Sequence, residues 1–184
     1  GCSNTVPNKV LEQLLWDNFS EVGVPSYTEE EMEYAKQIMD SYEMKDDSLP
    51  GSACDESSEI AEFVDEKSCH GTKPLNDFLI PYHYSEKQRA GSTDVGDVSW
   101  LTPTAQINTA SFVSKAPGHS WQNVSCGHTS IGHKGLLTAG KVIAAAAIDL
   151  YEKPEVLEAA KEEFQKKVAG GYYCPVPEDA VPVI

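Results

Sequence analysis

The chain has 184 residues, of which 40% are hydrophobic, 9% aromatic and 23% charged. That composition excludes a disordered, collagen-like or membrane-spanning polypeptide and fits one ordinary globular domain. Fourteen Lys and Arg against 29 Asp and Glu leave a net charge of −15, so the surface field opposes both nucleic acid and anionic lipid as partners.

The elements read as follows in chain order. Residues 1–7 (GCSNTVP) carry neither a start methionine nor a targeting pattern and run directly into a helix, as the interior of a longer chain would. Asn8 is placed to cap that helix, in which Val10, Leu11, Leu14, Leu15, Asn18 and Phe19 recur at helical spacing until Gly23 and Pro25. Thr28 and Glu31 stand in capping-box spacing at the head of a second helix, whose inner face carries Met32, Ala35, Ile38 and Met39. Residues 45–75 then form an irregular acidic excursion, with a weak helical pattern around Ile60 and Phe63, and read as a solvated surface segment.

FLIPY at 78–82 reads as a short strand, GSTDVGDVSW at 91–100 as a Gly/Ser/Asp loop, and AQINTASFV at 105–113 as an alternating strand ended by Pro117 and Gly118. The loop and the strand end are expected to flank one place in space. Ser130 stands where it can cap a long helix from about 132 to 151, apolar nearly all round and so expected to pack on both sides. Its apolar run is too short for a bilayer and carries Lys141 and Asp149. Pro154 suits the first position of a last helix, reaching about Val168 and stopped by Gly170 and Gly171. The Pro-containing tail 172–184 is expected to lie extended along the body.

Five cysteines, Cys2, Cys54, Cys69, Cys126 and Cys174, form no CxxC pair. An odd, scattered set without a signal-peptide pattern reads as reduced thiols of a cytoplasmic protein. Three of the five histidines, His119, His128 and His133, fall close together, and the loop before them supplies Asp94 and Asp97. Imidazole and carboxylate donors suit zinc, manganese or nickel, so a metal-assisted hydrolase is the natural chemical reading. His119, after a strand and a Pro-Gly turn, is the best single ligand candidate. His128 and His133 are five apart, the wrong spacing for one helix face. Asp in a Gly/Ser loop more often bonds its own backbone. No GxSxG elbow, SxxK pair or phosphate-cradling loop occurs, so serine hydrolysis is set aside.

GSTDVGDVSW, the histidine of PGHSWQ, SIGHKGLLTAGKV and the ending YYCPVPEDAVP, with the helices bearing NKVLEQ and TEEEMEYAKQI, resemble the C-terminal part of the di-metal amidohydrolase and exopeptidase family that includes aminoacylase and carboxypeptidase G. The resemblance implies an α/β chain, the C-terminal portion of a zinc-peptidase-like α/β/α sandwich catalytic domain whose lid and dimerisation domain is missing. Residues 1–7 would be the exit segment from that lid, and residues 8–184 the catalytic portion. It further implies two divalent metal ions, zinc or manganese, with His119 as a metal ligand. Ser92, Thr93, Asp94, Gly96, Asp97 and His133 would line the site.

The family's N-terminal His/Asp metal motif, its consecutive glutamates with the general base and its further ligand match nothing in these residues. The chain is therefore expected to be a half-site, inactive alone and completed by the missing N-terminal part of the same protein, as a homodimer or heteromer. The complete enzyme would hydrolyse the amide of an acyl-amino acid or small peptide, an aminobenzoyl-glutamate-like amide being the best single substrate. The competing expectation is a non-catalytic remnant or regulatory subunit that pairs with another chain.

Overall fold

A computed structural model describes residues 2–42, 58–85, 91–174 and 176–181. Among them the chain forms seven helices: α1 (Lys9–Val22), α2 (Glu29–Met39), α3 (Ser58–Lys67), α4 (Val95–Val98), α5 (Trp121–Val124), α6 (Ser130–Glu152) and α7 (Pro154–Lys167). The expected α/β sandwich is overturned, because the described residues contain no strand and no sheet. Segments 78–82 and 105–113 run as non-helical chain without ladder partners. The physical reason is that a strand is defined by its neighbour. Pro81 removes a donor from the first segment. In the second, the Ala110 carbonyl accepts from the Tyr27 hydroxyl at 3.1 Å, a side-chain bond in place of a ladder bond. Part of the acidic excursion, 45–57, lies outside the described residues; α3 forms where the weak helical pattern around Ile60 and Phe63 stood.

The chain divides into two compact units, one of residues 1–17, 84–106 and 145–184, the other of residues 18–83 and 107–144. In the first unit, α7 closes the start of α1. The Glu163 carboxylate accepts from the backbone N–H of Lys9 at 3.0 Å and of Val10 at 3.1 Å, satisfying donors that have no intrahelical partner. Asn8 caps α1 as its position predicts: its Oδ1 accepts from Leu11 N at 3.0 Å, while its Nδ2 donates to the Ala160 carbonyl at 2.9 Å. The segment before α1 is stitched to α4. Val6 N donates to Ser99 Oγ at 2.8 Å, and Trp100 Nε1 donates to the Asn4 carbonyl at 2.9 Å.

In the second unit, Ala35, Met39, Leu75, Val113, Cys126 and Ile131 form the core, with Tyr27, Met32, Ile38, Tyr42 and Ala116 packed against it. The spacing of Met32, Ala35, Ile38 and Met39 read from the sequence is the stripe that α2 turns inward. Its capping box is complete, Thr28 N donating to Glu31 Oε2 at 2.7 Å and Glu31 N to Thr28 Oγ1 at 3.2 Å. Helix α6 departs from expectation in two ways. Ser130 does not cap it from outside but opens it and donates its hydroxyl to Glu31 Oε1 at 2.5 Å. Nor is the helix packed on both sides: Ile131, Thr138 and Val142 are buried, whereas Leu136, Leu137 and Ile143 are more than half exposed. No helix among the described residues is long and apolar enough to cross a membrane. Cys2, Cys69, Cys126 and Cys174 are free of disulfides.

Candidate functional site

His119 sits at the turn the Pro-Gly pair predicts, with a left-handed backbone at φ 55°. That region is disfavoured for a residue with a Cβ, and it is held here by the neighbouring bonds. Ser120 next to it donates its hydroxyl to the Pro117 carbonyl at 2.5 Å and accepts from Asn123 N at 3.2 Å, so one side chain closes the turn and caps α5. The consequence is an exposed imidazole on a short, fixed turn. Cys69, His70 and Lys115 share the left-handed backbone, so the conformation alone does not single out His119.

His133 lies in the first turn of α6, exposed, and its ring meets that of His128 edge to face at 6.4 Å between centroids. The sequence spacing excluded one helix face for this pair, but His128 precedes the helix, so the turn brings the rings together. His119, His128 and His133 all belong to the second unit.

Ser92, Thr93, Asp94, Gly96 and Asp97 belong to the first unit. Ser92, Thr93 and Asp97 make polar contacts within that unit. Ser92 Oγ is 3.4 Å from Cys2 Sγ, and Thr93 Oγ1 accepts from Val95 N at 3.3 Å. Asp94 is exposed and makes no cap bond to α4. Asp97 accepts from Ser3 N at 3.2 Å and from the Tyr172 hydroxyl at 3.0 Å. The bonds from Ser3 hold its carboxyl below the ordinary value, against some desolvation and with help from Tyr172. The same contact acts oppositely on the phenol: burial, then the bonds to Asp97 and Cys174, push Tyr172 up to about 12. Asp97 thus ties the segment before α1 and the tail after α7 to α4, a bond network that spacing in the sequence did not signal. Gly96 is buried with the Ser3 carbonyl directly over it, leaving no room for a Cβ.

No three His, Cys, Asp or Glu side chains among the described residues come together as a metal site. A shallow depression on α2 gathers Glu29, Glu30 and Glu33 beside Tyr34 and Gln37, carboxylates without an imidazole or thiol. His119 is therefore a single candidate ligand, and the described residues do not by themselves fit two metal ions.

The chain is similar to a subunit of p-aminobenzoyl-glutamate hydrolase. It is 35% identical to that Escherichia coli (strain K12) protein over 184 residues, 98% of this chain. The chain spans 38% of the relative's own length. The resemblance drawn from the loop, the histidine motifs and the tail is thereby borne out. No family model matches the chain. No solved structure matches it either.

Proposed function

We propose that the chain is part of an amidohydrolase whose complete form cleaves the amide of p-aminobenzoyl-glutamate or a related acyl-amino acid or small peptide. The observation that carries this reading is identity of 35% through 98% of the chain to a hydrolase subunit of that name. A similarity of that extent includes the framework as well as the motifs, so it does not hang on one short run of residues.

In this reading His119 is one ligand of a site for two divalent ions, zinc or manganese, both of which imidazole suits. Ser92, Thr93, Asp94, Gly96, Asp97 and His133 are the further candidate site residues of the complete enzyme. The remaining ligands and the general-base carboxylate come from another part of the protein or from a partner subunit, because one imidazole leaves most of each ion's coordination open. The free thiols Cys2, Cys69, Cys126 and Cys174 support a cytoplasmic location.

A second reading, a regulatory or non-catalytic subunit that pairs with another chain, draws on the lack of any three-ligand group among the described residues. One experiment separates the two. The native assembly containing this chain is assayed for release of glutamate from p-aminobenzoyl-glutamate with zinc or manganese, beside the same assembly carrying His119→Gln. Turnover that falls by 100-fold or more with the substitution supports the enzyme reading. Turnover indifferent to His119 supports the second, and no turnover of this substrate or of other acyl-amino acids overturns the first.

A further inference from the structure

Two histidines to which no ligand role has been given, His128 and His133, stand together. Their rings meet at 6.4 Å between centroids with their planes 82° apart, and both side chains are exposed. Among the described residues neither imidazole has a hydrogen-bond partner. His70 and His83 are different: their Nδ1 atoms lie 2.6 Å from the Asp65 carboxylate and 3.1 Å from the Pro81 carbonyl. The segment that carries the pair is fixed. Thr129 donates to the Cys126 carbonyl from its backbone N–H at 3.0 Å and from its hydroxyl at 2.7 Å, and His133 N donates to the Thr129 carbonyl at 3.1 Å. Gly132 packs so closely on this turn that a Cβ would lie 2.6 Å from the Cys126 carbonyl oxygen. The two backbones are thus held in place while the rings stay free to turn.

Two neutral imidazoles on a fixed turn are a chelate for a borderline divalent ion. Rings that share one tetrahedral zinc at about 2.0–2.1 Å per nitrogen lie about 5 Å apart between centroids, so exposed side chains at 6.4 Å have only about 1 Å to close. The surroundings favour a cation. The Tyr34 hydroxyl of α2 donates to the Ser125 carbonyl at 3.3 Å, and Glu31 holds Ser130 and Lys134, so α2 lies along the segment that bears both rings. Glu29, Glu30 and Glu33 stand exposed on that helix, on a chain of net charge −15, and their field raises the local concentration of cations. Lys134, next to His133, is offset by its pairing with Glu31. We propose that His128 and His133 together bind one divalent ion of the borderline class, zinc foremost, with water at the remaining positions and without His119. Zinc outranks manganese there, because manganese stands lowest in the first-row affinity order and two nitrogens offer it no carboxylate. The ion bridges the turn after α5 to the first turn of α6. This gives His133 a chemical role that the hydrolase reading leaves open, and it does not depend on that reading.

The test uses the native assembly containing this chain, stripped of metal. Its histidines are modified with diethyl pyrocarbonate at pH 7.5, where free imidazole is mostly neutral, with and without micromolar zinc, and each is quantified by tandem mass spectrometry. Zinc should slow modification of His128 and His133 together by about fivefold or more, since a coordinated nitrogen does not react. Manganese at the same concentration should not. His128→Gln, at an unchanged circular dichroism spectrum, should abolish the protection of His133, and His133→Gln that of His128, so either variant serves if the other fails to fold. His119→Gln should leave both rings protected. Protection of one ring alone, of neither, or equally by manganese overturns the proposal, as does protection of His133 that survives His128→Gln or disappears with His119→Gln.

Discussion

Lys134 Nζ, near the start of α6, lies 2.6 Å from Glu31 Oε2, in the first turn of α2. The same carboxylate accepts from Ser130 and completes the capping box with Thr28, so one buried side chain caps its own helix and ties it to another. Lys134 also donates to the Ser26 carbonyl at 2.8 Å, fixing the turn before α2.

Removing the ammonium leaves a buried carboxylate short of a partner. Lys134→Met keeps most of the stem and should lower stability by about 1–3 kcal/mol, read from urea midpoints at pH 7. Glu31→Gln retains the backbone bonds and should cost less. Equal midpoints for Lys134→Met and the parent would show that the pair contributes nothing.

Acid should weaken the fold through the same residue. Desolvation pulls the Glu31 carboxyl up, but the bonds from Lys134, Ser130 and Thr28 outweigh it and hold it down from 4.5 to about 2. A depressed folded-state value stabilises above the unfolded value and is lost as pH falls through the folded one. Stability should therefore decline between about pH 4.5 and pH 2, by on the order of 2 kcal/mol from this group. Asp97 and Glu163, also lowered, act in the same direction. Urea unfolding at pH 6, 4 and 3 checks this, and Glu31→Gln should show a shallower decline; an identical slope would remove Glu31 as a source.

Gly96→Ala should destabilise the first unit. An added Cβ would lie 2.1 Å from the Ser3 carbonyl oxygen, a backbone atom, so the segment before α1 must move off α4. We expect a loss of about 1–3 kcal/mol and faster proteolysis within residues 2–8. Unchanged cleavage there would mean that the segment does not rest on α4.

At His119, conformation and chemistry can be separated. Asn tolerates the left-handed backbone, so His119→Asn should keep stability within about 0.5 kcal/mol while lowering hydrolysis by the native assembly. His119→Val puts a β-branched residue at φ 55° and should cost about 1–2 kcal/mol. Thermal unfolding of the two variants distinguishes these effects, and full activity in His119→Asn would remove the residue from the site.

The sequence by itself determined the local structure. Asn8, Thr28 with Glu31, and Pro154 mark the starts of α1, α2 and α7 because their short-range bonds and fixed φ depend on residues one to four away. The same locality made the turn at Pro117 and Gly118 legible, and with it the presentation of His119. Tertiary structure decided the rest. Whether 78–82 and 105–113 pair as strands depends on a neighbour that their own alternation cannot supply, and the described residues supply none. Whether Ser130 caps a helix or binds Glu31, 99 residues away, depends on how α2 and α6 pack. Residue type in the loop at 91–100 favoured an aspartate bonded to its own backbone, yet Asp97 reaches Ser3 and Tyr172, 94 and 75 residues distant. Such bonds are set by where the chain returns, and no spacing within one segment encodes that.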